Sequence, residues 1–150
     1  MRTLRVCILT IALAAGSVVG VAGQDQEQAA ASMTAQQMND AIIEAWNNDD
    51  VPRLQQLYHP DAVHQVNYYR GFDVFDGQGD IISNALGPVL ITGTAPVIEL
   101  VAPDGELRWL EFADVTSPNF HGEGTICVFR AVAGQVVRQD CMIPVLYGGA

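Results

Sequence analysis

The stretch GTICVFRAVAGQVVRQDCMIPV, residues 124–145, reads as a β-hairpin. Two runs rich in β-branched and apolar residues flank Ala133-Gly134, and glycine readily adopts the left-handed backbone of a tight turn. With the turn centred near Gly134, residues equally distant from it face each other. Cys127 and Cys141 are each seven positions away. Opposite side chains on antiparallel strands sit ~4.5–5.5 Å apart at Cβ, close to what a disulfide requires. The hairpin therefore predicts a Cys127–Cys141 bond. Two buried thiols acting as small apolar side chains are the alternative.

Working upstream, Val97–Val101 and Leu107–Val115 flank the turn Pro103-Asp104-Gly105 and predict a second hairpin. Ile81, Ile82, Ala85 and Leu86 form a brief helical stripe between a turn at 77–79 and Gly87-Pro88, and a short strand is expected near 73–75. Residues 62–69 alternate, with His64, Val66 and Tyr68 on one face and Val63, Gln65, Asn67 and Tyr69 on the other. Two helices come first. Thr34 and Gln37 have the spacing of a capping box, after which Met38, Ala41, Ile42, Ala45 and Trp46 recur at helical spacing, with Gln36, Asn39, Asp40 and Glu44 elsewhere. Asn47-Asn48-Asp49-Asp50 ends that helix. Asp50 can cap a second, with Pro52 in its first turn, Leu54, Leu57 and Tyr58 inward, and His59-Pro60-Asp61 as its end. The class is α+β.

Residues 1–23 read as a cleavable signal peptide: Arg2 and Arg5, an apolar run, and small residues at Val21-Ala22-Gly23 before an abrupt polar change. A membrane-anchoring helix is the competing reading, since ~20 apolar residues span a bilayer. Residues 24–33 form a polar lead-in and 34–150 the folded domain. The expected location is secreted or periplasmic. All 17 acids lie beyond residue 23 but only five of the seven basic residues do, and there is no lysine, so the cleaved chain carries a net charge of −12. Such a surface repels phosphate backbones and anionic lipid, which argues against nucleic acid and membrane surfaces as partners. Cleavage also removes Cys7 and leaves Cys127 and Cys141 as an even pair.

Three segments carry a family resemblance. AIIEAWNNDDVPRLQQLYHPDAV (41–63) resembles the two helices and first strand of SnoaL-like members of the nuclear transport factor 2-like superfamily. FDGQGDIISNAL (75–86) is similar to their third helix, and CVFRAVAGQVVRQD (127–140) to their last hairpin. The resemblance implies a cone: a curved mixed or antiparallel sheet wrapped around about three helices, with an apolar internal pocket and homodimers through the outer sheet face. Folds of this kind host unrelated activities, so the site must be argued separately. The acidic and tyrosine positions of the ketosteroid isomerases fall near Ile42, Val66 and Cys127, and the arginine–aspartate pattern of the epoxide hydrolases fails at Arg108 and Leu110. Neither activity is expected.

In the register the resemblance implies, His64, Val66 and Tyr68 point inward from the first strand and Glu123, Thr125 and Cys127 from the fifth. His64 is the candidate base, because imidazole titrates near ~6.5; a histidine bonded at the sheet edge is the plainer reading. Glu123, if desolvated, is a candidate acid, or else a bulge residue facing solvent. Tyr68 could orient a ligand oxygen or only lend its ring to the core. Trp46 and Trp109 are expected in the core or pocket wall. Alternation places Asp140 outward, opposite Val128. His59 and His121 flank expected turns without metal-ligand spacing, and no phosphate loop or nucleophile elbow is present, so no metal or cofactor is expected.

The expected function is binding of a small, largely apolar molecule, with cofactor-free acid/base chemistry of isomerase, cyclase or hydrolase type. The alternative is a non-catalytic binding or dimerising module that uses Ile126, Val128 and Met142 on the outer sheet face.

Overall fold

The computed structural model describes residues 33–68, 70–85, 89–117, 120–144 and 146–148; the expected signal peptide lies outside the described residues. Helix α1 spans Ala35–Asn47 and α2 spans Val51–Leu57. The capping box at Thr34 forms as its spacing predicts: Thr34 Oγ1 accepts from the Gln37 amide and Gln37 Oε1 from the Thr34 amide. Replacing Thr34 by alanine should destabilise the chain by ~1 kcal/mol in urea unfolding. Asp50 caps α2 by accepting from the Arg53 amide, and Pro52 sits in the first turn, where its missing N–H costs nothing.

Eight strands follow: β1 Tyr58–Tyr68, β2 Gly71–Asp76, β3 Leu90–Thr92, β4 Ile98–Leu100, β5 Glu106–Ser117, β6 Phe120–Val132, β7 Gln135–Met142 and β8 Leu146–Gly148. A one-turn helix α3, Gln78–Asp80, continues into a π-helical turn at Ile81–Ala85 between β2 and β3. The sheet order is β2-β1-β7-β6-β5-β3, with β4 pairing β5 and β8 pairing β6. Only β1–β7 is parallel among the paired strands, so the sheet is mixed. It curls around the helices as a cone.

Two boundaries differ from the sequence expectation. His59-Pro60-Asp61 does not end α2 but lies within β1, which already pairs with β7 at Tyr58–Val136. The irregularity between Tyr58 and Val63 is where Pro60, lacking a donor, can sit inside a strand. Strand β7 stops at Met142, two residues before Pro144, which cannot donate to a ladder, and the chain pairs again as β8. The three-residue β3 had no counterpart in the sequence reading.

The last hairpin forms. Ala133 and Gly134 both have positive φ, 50° and 79°, as a two-residue turn matched to strand twist requires. The pair next to the turn is Val132–Gln135, and a register shift between Arg130 and Ala131 then brings Cys127 opposite Cys141. Their sulfurs are bonded. Thiol titration of denatured, unreduced protein should find none from this pair, and one in all where Cys7 is retained.

The concave face of the sheet and the inner stripes of α1 and α2 make the core. Met38, Ile42, Leu54, Leu57, Trp109, Phe129 and Val136 are all buried there. On the convex face Arg108, Arg130 and Arg138 stand side by side, neutralised by Glu106 at 2.7 Å from both Arg108 and Arg130 and by Asp140 at 2.6 Å from Arg138. Asp140 is thus outward, opposite Val128, as alternation requires.

Candidate functional site

Pairing across β1, β7, β6 and β5 aligns the inward residues in rungs. One rung runs His64, Gln139, Phe129, Trp109, and the next runs Val66, Cys141, Cys127, Glu111. The curl of the sheet closes these rungs around a cavity of about 340 Å³. That volume suits a small organic molecule. Trp46, held by its Nε1 donating to the Val89 carbonyl at 3.2 Å, forms part of the wall from α1.

His64, Val66, Tyr68, Trp46, Thr125 and the two bonded cysteines line this cavity. Trp109 does not, contrary to one of the two placements the sequence left open. It is wholly buried beneath the wall, stacked on Phe129 with centroids 4.8 Å apart, and its Nε1 donates to Asn39 Oδ1 at 2.8 Å. The side chains of Glu123 and His121 lie outside the described residues; His59 falls within β1 rather than beside a turn, and His121 lies in β6 next to Phe120, which pairs with Ser117 across the connection from β5. Among the described residues no three metal-ligating groups gather.

The acid that does face the cavity is Glu111, on β5, which sequence reasoning passed over. Asn39 explains why it can be there. Assigned to the polar side of α1 from its spacing, Asn39 is instead only 1% exposed, because its amide couples two strand residues. Its Oδ1 takes the Trp109 proton and its Nδ2 donates to Glu111 Oε1 at 3.1 Å. Burial raises the Glu111 carboxyl to about 7, against the lowering effect of the Asn39 hydrogen bond.

His64 is also only 3% exposed, and its ring lies over Phe75 with centroids 5.7 Å apart. Its Nδ1 is 3.3 Å from the Gln139 carbonyl. A carbonyl can only accept, so the proton belongs on Nδ1 and Nε2 is left as an acceptor. Burial lowers the ring to about 4, opposed by that carbonyl and by Asp140, and aided by Arg138. The imidazole is therefore neutral at ordinary pH.

Gln139 sits between the two titratable groups. Its Oε1 accepts from the Tyr58 hydroxyl at 2.7 Å and its Nε2 donates to Cys141 Sγ at 3.4 Å. Burial, and secondarily the Glu111 charge, hold Tyr58 far above its usual value, so it remains a donor. At the rim Tyr68 is hydrogen-bonded to Asp73, and its hydroxyl is pushed up to about 12, first by burial and then by that carboxylate. Thr125 Oγ1 is buried without a partner among the described residues.

Comparison with known proteins adds the fold's place. No family model matches, and no curated protein matches the sequence. Solved structures do. Hexachlorocyclohexane dehydrochlorinase LinA-type3 from Novosphingobium barchaimii is similar at a TM-score of 0.60 and 10% identity, over 84% of this chain and 94% of that one. A LEH-like epoxide hydrolase from M. tuberculosis is similar at 0.51 and 15%, over 72% and 80%. The orange carotenoid protein of Anabaena, solved binding canthaxanthin, is similar at 0.56 and 12%, over 73% of this chain but only 36% of its own length. Identities this low speak of fold alone: the cone is the nuclear transport factor 2-like fold.

Proposed function

We propose that this nuclear transport factor 2-like chain is an exported protein that binds a small, largely apolar molecule in its cone and performs cofactor-free acid/base chemistry on it. Export rests on the charge and apolar pattern of residues 1–23, and a disulfide in the domain accords with an oxidising compartment. The observation that carries the chemistry is the pairing of Glu111 and His64 in one apolar cavity. A carboxyl near 7 both gives and takes protons at neutral pH. The neutral imidazole offers Nε2 as an acceptor on the same concave face, from β1, three strands away from β5. Glu111 thus replaces His64 as the residue best suited to move the proton, with His64 receiving or orienting a ligand hydrogen. A dehydrochlorinase and an epoxide hydrolase share this fold, which fits the reading.

Native mass spectrometry of protein recovered from the exporting cell, followed by organic extraction, tests it. The chain should begin near residue 24 and carry a nonpolar molecule. Incubation of that molecule with the protein should convert it, and with Glu111→Gln should not. A chain beginning at Met1 ends the export reading, and equal conversion by both proteins ends the chemistry.

The second reading, a non-catalytic binder that pairs through its outer sheet face, draws on Val128 and Met142, 37% and 57% exposed among charged neighbours. The orange carotenoid protein, solved with a bound pigment, shares the fold. Light scattering decides the pairing: Met142→Glu should convert a dimer to a monomer, and a parent chain already monomeric sinks it.

A further inference from the structure

The charge of the cavity is one-sided. Two carboxylates, Glu111 and Asp73, line it, and neither arginine nor lysine stands among the described lining residues. The chain has no lysine anywhere and a formal net charge of −10. An anionic ligand would meet repulsion and no counter-charge; a cationic one would meet the reverse.

One polar atom marks where a ligand's head would sit. Thr125 Oγ1, on a residue 3% exposed, has no hydrogen-bond partner among the described residues, although the side chain lines the cavity. A buried hydroxyl left unpaired costs about 1–3 kcal/mol, which a ligand would relieve. Thr125 pairs with Ala113 and Cys127 with Glu111, so Thr125 and Glu111 are diagonal neighbours on one sheet face, their Cα atoms ~7–8 Å apart. That spacing accommodates one polar head between them. Of the two Glu111 oxygens, Oε1 is taken by Asn39, and no described residue donates to Oε2. Both vacant groups accept hydrogen bonds, and Trp46 and Phe75 add aromatic faces, which attract cations.

We infer that the ligand is a small lipophilic amine, its ammonium set between Glu111 Oε2 and Thr125 Oγ1 and its apolar body against Trp46, Val66, Ile91 and Val115. The inference rests on the reading of the cavity as a ligand site and adds the chemical class of the ligand.

Three probes of one shape test it: 2-(1-naphthyl)ethylamine, 2-(1-naphthyl)ethanol and 1-naphthylacetate, titrated calorimetrically into the full chain at about pH 8. The amine should bind at least ~10-fold tighter than the alcohol, as one charge-assisted hydrogen bond provides, and the acid more weakly than both. In Glu111→Gln the amine's advantage over the alcohol should shrink to within ~3-fold, and urea unfolding of the same variant reports that it is folded. Thr125→Val should weaken the amine by ~3–10-fold. An acid that binds as tightly as the amine overturns the inference, as does an amine-to-alcohol ratio unchanged in Glu111→Gln. If the alcohol binds without any preference for the amine, only the amine assignment falls. If none of the three binds, the apolar-cavity reading falls with it.

Discussion

Trp109→Ala should destabilise the chain by ~3–5 kcal/mol, the range for deleting a fully buried tryptophan. Its ring has no solvent exposure, and it stacks on Phe129 nearly in parallel, 1° between planes. The truncation would leave a void that strands β5 and β6, paired from Glu106 to Ser117, cannot collapse to fill. It would also leave Asn39 Oδ1 without its donor, a further buried unpaired group. Domains of this size are stable by only ~5–15 kcal/mol, so the variant should lose a large share of its total. Trp109→Phe separates the two contributions: the aromatic contact survives and the donor does not, so the loss should be ~1–3 kcal/mol. Urea unfolding followed through Trp46 fluorescence measures both, and an alanine variant within 1 kcal/mol of the parent would refute the packing account.

The same tryptophan shows why the fold was more legible than the site. Hairpins, caps and the Cys127–Cys141 register follow from local rules, because turn residues and strand alternation act over a few positions. The pocket depends on which face of β5 turns inward, and there alternation is ambiguous. Leu107, Trp109, Glu111 and Ala113 share one face, while Arg108, Leu110, Phe112 and Asp114 share the other. The first face holds three apolar residues of four and the second two of four, a margin too narrow to mark a glutamate as buried. What decides is tertiary: Trp109 fills the core, and Asn39 arrives from a helix 72 positions earlier to bond Glu111. An asparagine within the stripe of Ala35, Met38, Ile42 and Ala45 was the available signal. Polar residues there are buried only when a partner waits, and the partner was not local. On β1 alternation grouped His64 with Val66 and Tyr68, the family resemblance turned that face inward, and the structure places His64 in the cavity wall.

Glu111→Gln should make the protein more stable at neutral and alkaline pH while removing its chemistry. The folded carboxyl titrates near 7 against 4.5 when unfolded, so between those values the native chain holds a proton that the unfolded chain releases. Stability therefore falls as pH rises through that window, by on the order of 3 kcal/mol. His64 has the opposite slope. Its folded value, about 4, lies below the ordinary 6.5, so on acidification the unfolded chain takes the proton first and stability falls between pH 6.5 and 4. In the intact chain the two slopes oppose each other over nearly the same range and leave a flat profile from this pair. Glutamine keeps an acceptor for Asn39 and cannot ionise. Glu111→Gln should match its parent near pH 4, exceed it by on the order of 3 kcal/mol near pH 8, and lose stability on acidification through the unmasked histidine. His64→Asn should show the mirror image, losing stability as pH rises. Urea midpoints at five pH values between 4 and 8 measure this, and a Glu111→Gln curve parallel to its parent's would defeat it. Turnover of the extracted ligand should fall by ~10²–10⁴-fold in the same variant. The two outcomes belong together: an ionised carboxylate held in an apolar cone weakens the fold at neutral pH, and proton transfer to a bound molecule is what that weakening would serve.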